Sequence, residues 1–208
     1  MLAEGSLNKY RLEAFSDGVI AIIITFMVFN LKVPHGAQWA DLAPLWPVFL
    51  SYVLSFIYVG IYWNNHHHLL HSAHQVSGAL LWANLHLLFW LSLMPFATGW
   101  MGENQFAPLP TALYGFVLLM AAVAYHLVQQ CIIYTEGQQT VLKRALGNDV
   151  KGKLSPWLYL AGIISAFYVH GLSLLFYFIV AMMWLVPDKR IERELRPHPD
   201  DHPQNPQH

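Results

Sequence analysis

The sequence predicts an all-α integral membrane protein with six transmembrane helices per subunit. Three observations lead there. Only 11% of the residues are charged while 56% are hydrophobic, against roughly 25% charged in a soluble domain. The charges are also unevenly spread, because residues 42–102, 104–135 and 154–187 contain no Asp, Glu, Lys or Arg. Laid out as six spans, the chain then places nearly all its Lys and Arg on one side of the bilayer. No water-soluble fold tolerates three such tracts. Composition therefore excludes a soluble enzyme, a nucleic-acid binder and a disordered chain. The net charge of −1 supplies no field of one sign to steer a partner.

The spans follow from length. A helix rising about 1.5 Å per residue needs about 20 residues to cross about 30 Å of hydrocarbon. The first span covers roughly residues 11–33 and is stopped by Pro34 and Gly36. Lys9 and Arg11 before an apolar run resemble the start of a signal peptide. Asp17 interrupts that run and no small-x-small cleavage site follows, so we read a retained first span. The tract 42–102 holds two spans, about 45–64 and 78–100, separated by a His-rich polar turn over 64–77. The tract 104–135 gives a fourth span over about 109–134. Residues 154–187 are too long for one span and suffice for two short ones hinged near His170-Gly171; a single kinked helix is the alternative. Residues 1–187 form the membrane domain. Residues 188–208 form a polar tail, expected to be solvated and disordered on the cytoplasmic side.

Orientation follows from the bases. The N-terminus, the 64–77 turn, the 135–153 loop and the tail share one side. That side holds Lys9, Arg11, Lys143, Arg144, Lys151, Lys153, Lys189, Arg190, Arg193 and Arg196, whereas the other holds Lys32. The asymmetry supports an even number of spans and cytoplasmic termini. The lone Cys131 excludes an internal disulfide and says nothing about compartment.

The first span carries the unusual chemistry. It brings Arg11, Glu13 and Asp17 to the membrane edge, where ionisable groups cost several kcal/mol unless paired or wetted. Arg11 and Asp17 are six residues apart and point to different faces. Glu13 and Asp17 share a face but carry like charge. Asp17 therefore needs a partner on another element or chain: Arg11 of a neighbour, His66 or His67. Simple residence among headgroups is the other reading of these charges. Farther along, Phe15, Gly18, Ile22, Thr25, Phe26 and Phe29 form one stripe at spacings of three and four. Ile22 and Phe29 lie about 10.5 Å apart along the axis, and Thr25 is the polar group between them. Helix–helix packing is one account of such a stripe and lining of a pore is another.

These residues also carry a resemblance. Arg11-x-x-x-Phe15-Ser16-Asp17-Gly18 followed by Ala21-Ile22-x-x-Thr25 resembles the signature of the transmembrane protein 175 family, the lysosomal potassium channels and their bacterial homologues. Tyr62-Trp63-x-x-His66-His67, Asn84 and Pro95 are similar to the family's pattern in the next two spans. Only one copy of the Phe-Ser-Asp motif is present, which fits a bacterial-type chain with one six-span repeat.

The resemblance implies a homotetramer in the bacterial inner membrane, with four copies of the first helix around a central pore. It implies conduction of potassium and other monovalent cations, no cofactor, and no carbonyl filter loop; the sequence has no Thr-Val-Gly-Tyr-Gly run. Carried over by position, the apolar constriction falls on Ile22, with Phe29 one heptad outward. The threonine layer falls on Thr25, and Phe26 shares the face. Aliphatic residues are common in the family where this chain has Phe26 and Phe29. The resemblance assigns Arg11, Phe15, Ser16 and Asp17, with Trp63, His66, His67 and Asn84, to a network at the cytoplasmic mouth that positions the pore helix.

Other features give weaker signals. His66, His67, His68, His71 and His74 invite a zinc reading, but no Cys or carboxylate lies near in sequence, so no metal site is expected. A pH response through these histidines is possible in principle. His86, His126 and His170 read as interhelical hydrogen-bonding groups or interface residues rather than a proton relay. A secondary transporter is the competing class, although no matched pair of interrupted helices is present; a proton-permeable channel is a further alternative. An intramembrane enzyme would need a nucleophile, base or metal cluster at one depth, which the chain lacks.

Overall fold

The structure, a computed structural model, describes residues 2–136, 150–169 and 171–185. The described residues fold into seven α-helices. These are α1 (Leu2–Phe29), α2 (Trp46–His71), α3 (Gly78–Ser92), α4 (Met94–Glu103), α5 (Pro108–Glu136), α6 (Val150–Ser165) and α7 (Leu172–Leu185). Two short 3-10 turns, Trp39–Asp41 and Ala43–Leu45, lead into α2. The expectations for residues 137–149, for His170 and for the tail fall outside the described residues.

The segments α1, α2 and α5 are each long and apolar enough to cross a membrane, as is the stretch Gly78–Glu103 that contains α3 and α4. The shorter α7 is apolar as well. The protein is thus an all-α, multi-pass membrane protein. The third span is two helices rather than one. Its first helix ends at Ser92 and the second starts with Pro95 in its first turn. Proline has no N–H to donate and its ring crowds the preceding turn, so it sits comfortably only where a helix begins. Residues 154–187 likewise contain two helices and not one kinked one. Residues 166–171 separate α6 from α7, and Gly171 there adopts a φ of +85°, a conformation that other residues rarely take.

Two predicted boundaries move. The first span ends at Phe29, short of Val33, and Asn30 and Leu31 close it with backbone bonds to the carbonyls of Met27 and Val28. The His-rich segment is not a turn from 64 onward. Helix α2 continues to His71, and the turn shrinks to residues 72–77. Asn65 donates its side-chain amide back to the Ile61 carbonyl at 2.8 Å, and His66 faces inward to another helix. No Gly or Pro interrupts the run between Asn64 and Gly78, so nothing local stops the helix where its composition turns polar. Ser77 then caps α3, its hydroxyl oxygen accepting from the Leu80 N–H at 3.2 Å.

The bundle has two parts. Helices α5, α6 and α7 pack successively, with α3 against α5 and α7 also touching α2. Tyr58, Tyr114 and Tyr177 are fully buried at the meeting of these helices. Tyr177 fits because Gly115 and Gly162 present no Cβ towards its ring; side chains at either position would collide with it. Helix α1 packs on the outside of this unit, against α2, α3 and α4, with Leu12, Ser16, Ile20, Ile23 and Met27 as its buried face.

Candidate functional site

The buried and exposed faces of α1 divide the sequence stripe cleanly. Phe15, Gly18, Ile22, Thr25, Phe26 and Phe29 all lie on the exposed side. Ile22 is 56% exposed, Phe26 60% and Phe29 76%. Packing within the subunit therefore does not account for the stripe: an apolar face of this length is left uncovered. The rings of Phe26 and Phe29 meet edge to face with centroids 6.4 Å apart, so the two bulky residues form one ledge. Residues 18–31 include no ionisable side chain, and so the face is electrically neutral between Asp17 and Lys32.

Thr25 is the polar exception on that face. Its hydroxyl donates to the Ala21 carbonyl at 3.0 Å. With its proton directed along its own helix, the oxygen keeps lone pairs to offer outward. A threonine in this state can accept from water or coordinate a cation, but has no proton to give.

The other predicted residues cluster where α1 meets α2 and α3. Ser16 donates to the Leu12 carbonyl at 2.8 Å. Asn84 Nδ2 donates to Ser16 Oγ at 2.9 Å, and Asn84 Oδ1 faces His66 Nε2 at 2.7 Å. Since the Ser16 proton is already used, its oxygen requires a donor, which fixes the Asn84 amide orientation. The Asn84 carbonyl oxygen then requires His66 to carry its proton on Nε2. Ser16 and Asn84 are 0% exposed and His66 1%, so the chain of bonds is sealed from solvent. The three side chains hold α1, α2 and α3 in one register.

Asp17 finds its partner on α2. Trp63 Nε1 donates to Asp17 Oδ1 at 3.0 Å. Of the candidate partners for Asp17, His66 is engaged with Asn84 instead. His67 is not its hydrogen-bond partner either: it lies against the Trp63 ring at a centroid distance of 6.4 Å and stacks on His71. Phe15 and Arg11 are exposed, and among the described residues Arg11 has no partner within the subunit. At the same end, Lys9 donates to the His71 carbonyl at 2.8 Å, and Glu136 clasps the 72–77 turn. Its carboxylate accepts from the backbone N–H groups of His74 and Gln75 at 2.6 and 3.0 Å and lies 3.0 Å from His74 Nδ1. Among the described residues no three His, Cys, Asp or Glu side chains converge as metal ligands.

One residue just past α1 escaped sequence reasoning. Asn30 donates its side-chain amide to the Pro95 carbonyl at 2.8 Å. Gly99 makes room for it, since a Cβ there would stand 3.1 Å from Asn30 Nδ2. Farther out, Lys32 pairs with Glu103 at 2.9 Å. The exposed stripe is thus pinned at both ends to the third span, by Ser16–Asn84 at one end and Asn30–Pro95 at the other. An Asn after an apolar helix gives no signal by itself. Its partner is the Pro95 carbonyl in the first turn of α4, within reach because Gly99 carries no Cβ.

Known proteins resemble this chain in sequence and in fold. The sequence model of the family described as "Endosomal/lysosomal potassium channel TMEM175" matches residues 11–95, the stretch holding the stripe, the network and the Pro95 break. A protein from a Chryseobacterium species (strain P1-3), named as a potassium channel, is 54% identical over 190 residues, covering 91% of this chain and 99% of that protein. The crystal structure of a lysosomal potassium-selective channel TMEM175 homologue from Chamaesiphon minutus superposes with a TM-score of 0.74 at 26% identity, covering 87% of this chain and 98% of that chain. A human protein named as the endosomal/lysosomal proton channel TMEM175 is 34% identical over 103 residues, which are 44% of this chain and 20% of that protein. The uncovered stripe, the sealed network and a relative matched along nearly its whole length converge, and this chain belongs to the TMEM175 family of ion channels.

Proposed function

We propose that the chain forms a homotetrameric, potassium-selective leak channel in the bacterial inner membrane, with four copies of α1 around the pore. The observation that carries this reading is the exposed face of α1. It is apolar and free of charge over residues 18–31, and the subunit itself leaves it uncovered. Four such faces turned to a common axis would bury it and enclose a narrow passage. Ile22 forms the constriction, an apolar ring that resists wetting. Phe26 and Phe29 form a wider ledge beyond it. The Thr25 oxygens, their protons turned along the helix, replace part of the hydration shell of an ion entering the ring. Potassium sheds water more cheaply than sodium, so a ring without charges favours it.

Orientation follows from the described bases. Lys9, Arg11, Lys151 and Lys153 lie at the end of the bundle that carries His71 and Glu136, and Lys32 at the other. By the positive-inside rule the termini are cytoplasmic. The network of Arg11, Phe15, Ser16, Asp17, Trp63, His66, His67 and Asn84 then sits at the inner mouth, where it positions α1 and Arg11 awaits a neighbouring subunit. Residues 1–187 are the channel domain and 188–208 the cytoplasmic tail.

The test is the reversal potential of purified protein in planar bilayers under a potassium/sodium gradient. A potential near the potassium equilibrium value with ohmic single-channel steps is expected. Saturable flux coupled to a second solute would mark a transporter. A second reading has one observation in its favour, the human relative named as a proton channel. A reversal potential that follows an imposed pH gradient would select it.

Asp17→Ala is expected to weaken assembly rather than alter selectivity. It deletes the charged acceptor of Trp63, a bond worth about 1.5–3 kcal/mol where a charged group takes part. Native mass spectrometry should show loss of tetramer in favour of smaller species. An intact tetramer with changed ion preference would place Asp17 in the conduction path instead.

A further inference from the structure

A cavity of about 50 Å³ lies between α2, α5, α6 and α7, remote from the exposed face of α1. Tyr58, Tyr62, Tyr125, Tyr159 and Trp184 wall it, and Gln129 closes the side nearer the Glu136 end of α5. No Asp, Glu, Lys or Arg side chain is among its lining residues. Most of the polar groups in the wall are already engaged. Trp184 Nε1 donates to Ser155 Oγ at 2.8 Å, Ser155 donates to the Lys151 carbonyl at 2.7 Å, and the Tyr125 hydroxyl donates to the Asn65 carbonyl at 3.2 Å.

Two side chains of the wall stand apart. Tyr62 is 8% exposed and Gln129 4%, and neither has a hydrogen-bond partner among the described residues. Buried phenol and amide groups are nearly always satisfied. Thr111 presents a different case. Its hydroxyl oxygen is also unpartnered, but it is sealed in protein and no molecule reaches it. Tyr62 and Gln129 instead line a space that a water-sized molecule enters.

We propose that this cavity is a binding site, one in each subunit, for a small neutral molecule bearing a hydroxyl group. A hydroxyl suits this pair, since it can accept from the Tyr62 phenol and donate to the Gln129 carbonyl oxygen. No carboxylate lines the cavity to balance the charge of a cation. Size narrows the class further. A water needs roughly 10–15 Å³ of such space and a benzene-binding cavity has about 150 Å³, so this one holds a few waters or one alcohol of one or two carbons. The aromatic walls suit the alkyl part of an alcohol, and the polar pair suits its oxygen. The site is independent of the pore assignment, since none of its lining residues belongs to α1.

Radiolytic hydroxyl footprinting of the full chain in lipid nanodiscs tests the proposal, because radicals born on ordered water oxidise the side chains that the water touches. Tyr58 and Tyr159 are buried like Tyr114 and Tyr177, but only the first pair lines the cavity. Oxidation of Tyr58 and Tyr159 several-fold faster than of Tyr114 and Tyr177 is expected. It should fall to the control rate in Gln129→Leu, and in Tyr62→Phe, which removes a single oxygen atom. Equal rates for the two pairs in the unaltered protein would overturn the site, and so would fast oxidation that neither variant changes. Methanol as a probe distinguishes the guests. Saturation transfer from the protein to the methanol methyl group that vanishes in Gln129→Leu identifies an alcohol guest. Variant-sensitive footprinting without that transfer identifies water.

Discussion

Ile22→Asn will raise monovalent-cation flux through reconstituted protein by about tenfold or more, which corresponds to removing only about 1.4 kcal/mol from the barrier. The side chain is 56% exposed on a face that the subunit leaves bare, so the substitution adds polarity without opening a hole in the core. In the proposed tetramer, four isoleucine side chains at the narrowest level would keep water out by capillary drying, and four amides would let it in. Selectivity should fall together with the barrier, because a wetted ring lets sodium keep its shell. Ile22→Ala tests width against wetting: it enlarges the ring while leaving it apolar, and should raise flux less than Asn does. Liposome flux assays with potassium and sodium read both quantities. If substitutions at Ile22, Thr25 and Phe29 all leave flux and selectivity unchanged, α1 does not line the pore.

The stripe behind that prediction is visible in the amino-acid sequence itself. The spans were legible because lipid imposes a constraint that sequence reports directly, long runs without charge. The face of α1 was legible because a helix repeats every 3.6 residues and the stripe keeps that period from Phe15 to Phe29. What lay beyond reach depended on partners distant in the chain. Nothing in Asn64-Asn65-His66-His67-His68 distinguishes a polar turn from a helix. The inward turn of His66 towards Asn84 decides it, and that pairing spans two helices. Its composition fits a loop as well as a helix, and tertiary hydrogen bonding selects the helix. The break at Leu93 went unread in the single span expected over 78–100, although Pro95 lies beside it, and so did the bond from Asn30 to the Pro95 carbonyl at the outer end of α1. Asp17 shows the intermediate case. Its need for a partner was evident from the cost of a carboxylate at the membrane edge, and Trp63 was within the expected network. The bond between these two required the packing of α1 on α2.

Asn84→Leu will damage the protein at the opposite point, in stability and not in conduction. Leucine has the branching and side-chain heavy-atom count of asparagine, so the change opens no cavity, although its methyl groups are bulkier. Two groups are stranded: the His66 Nε2 proton loses its acceptor and Ser16 Oγ its donor. Both are buried, and each unpaired buried group costs about 1–3 kcal/mol. A total of about 3 kcal/mol should lower the melting temperature clearly and shift the assembly towards dissociated subunits. The pairing in the network allows a sharper test. If the loss comes from the stranded imidazole, then adding His66→Leu to Asn84→Leu should recover part of the stability, because exchanging both partners for apolar groups removes the orphan. A steric defect at position 84 would instead leave the double variant at least as unstable as the single one. Thermal unfolding of the four members of this cycle, followed by fluorescence in detergent, separates the outcomes. A neutral Asn84→Leu would mean that the sealed chain from His66 to Ser16 does not hold α1 in place. The same variant, reconstituted under conditions where the tetramer survives, should keep the potassium preference of the parent. Asn84 lies on the buried side of α1, and the apolar face that carries Ile22 points away from it.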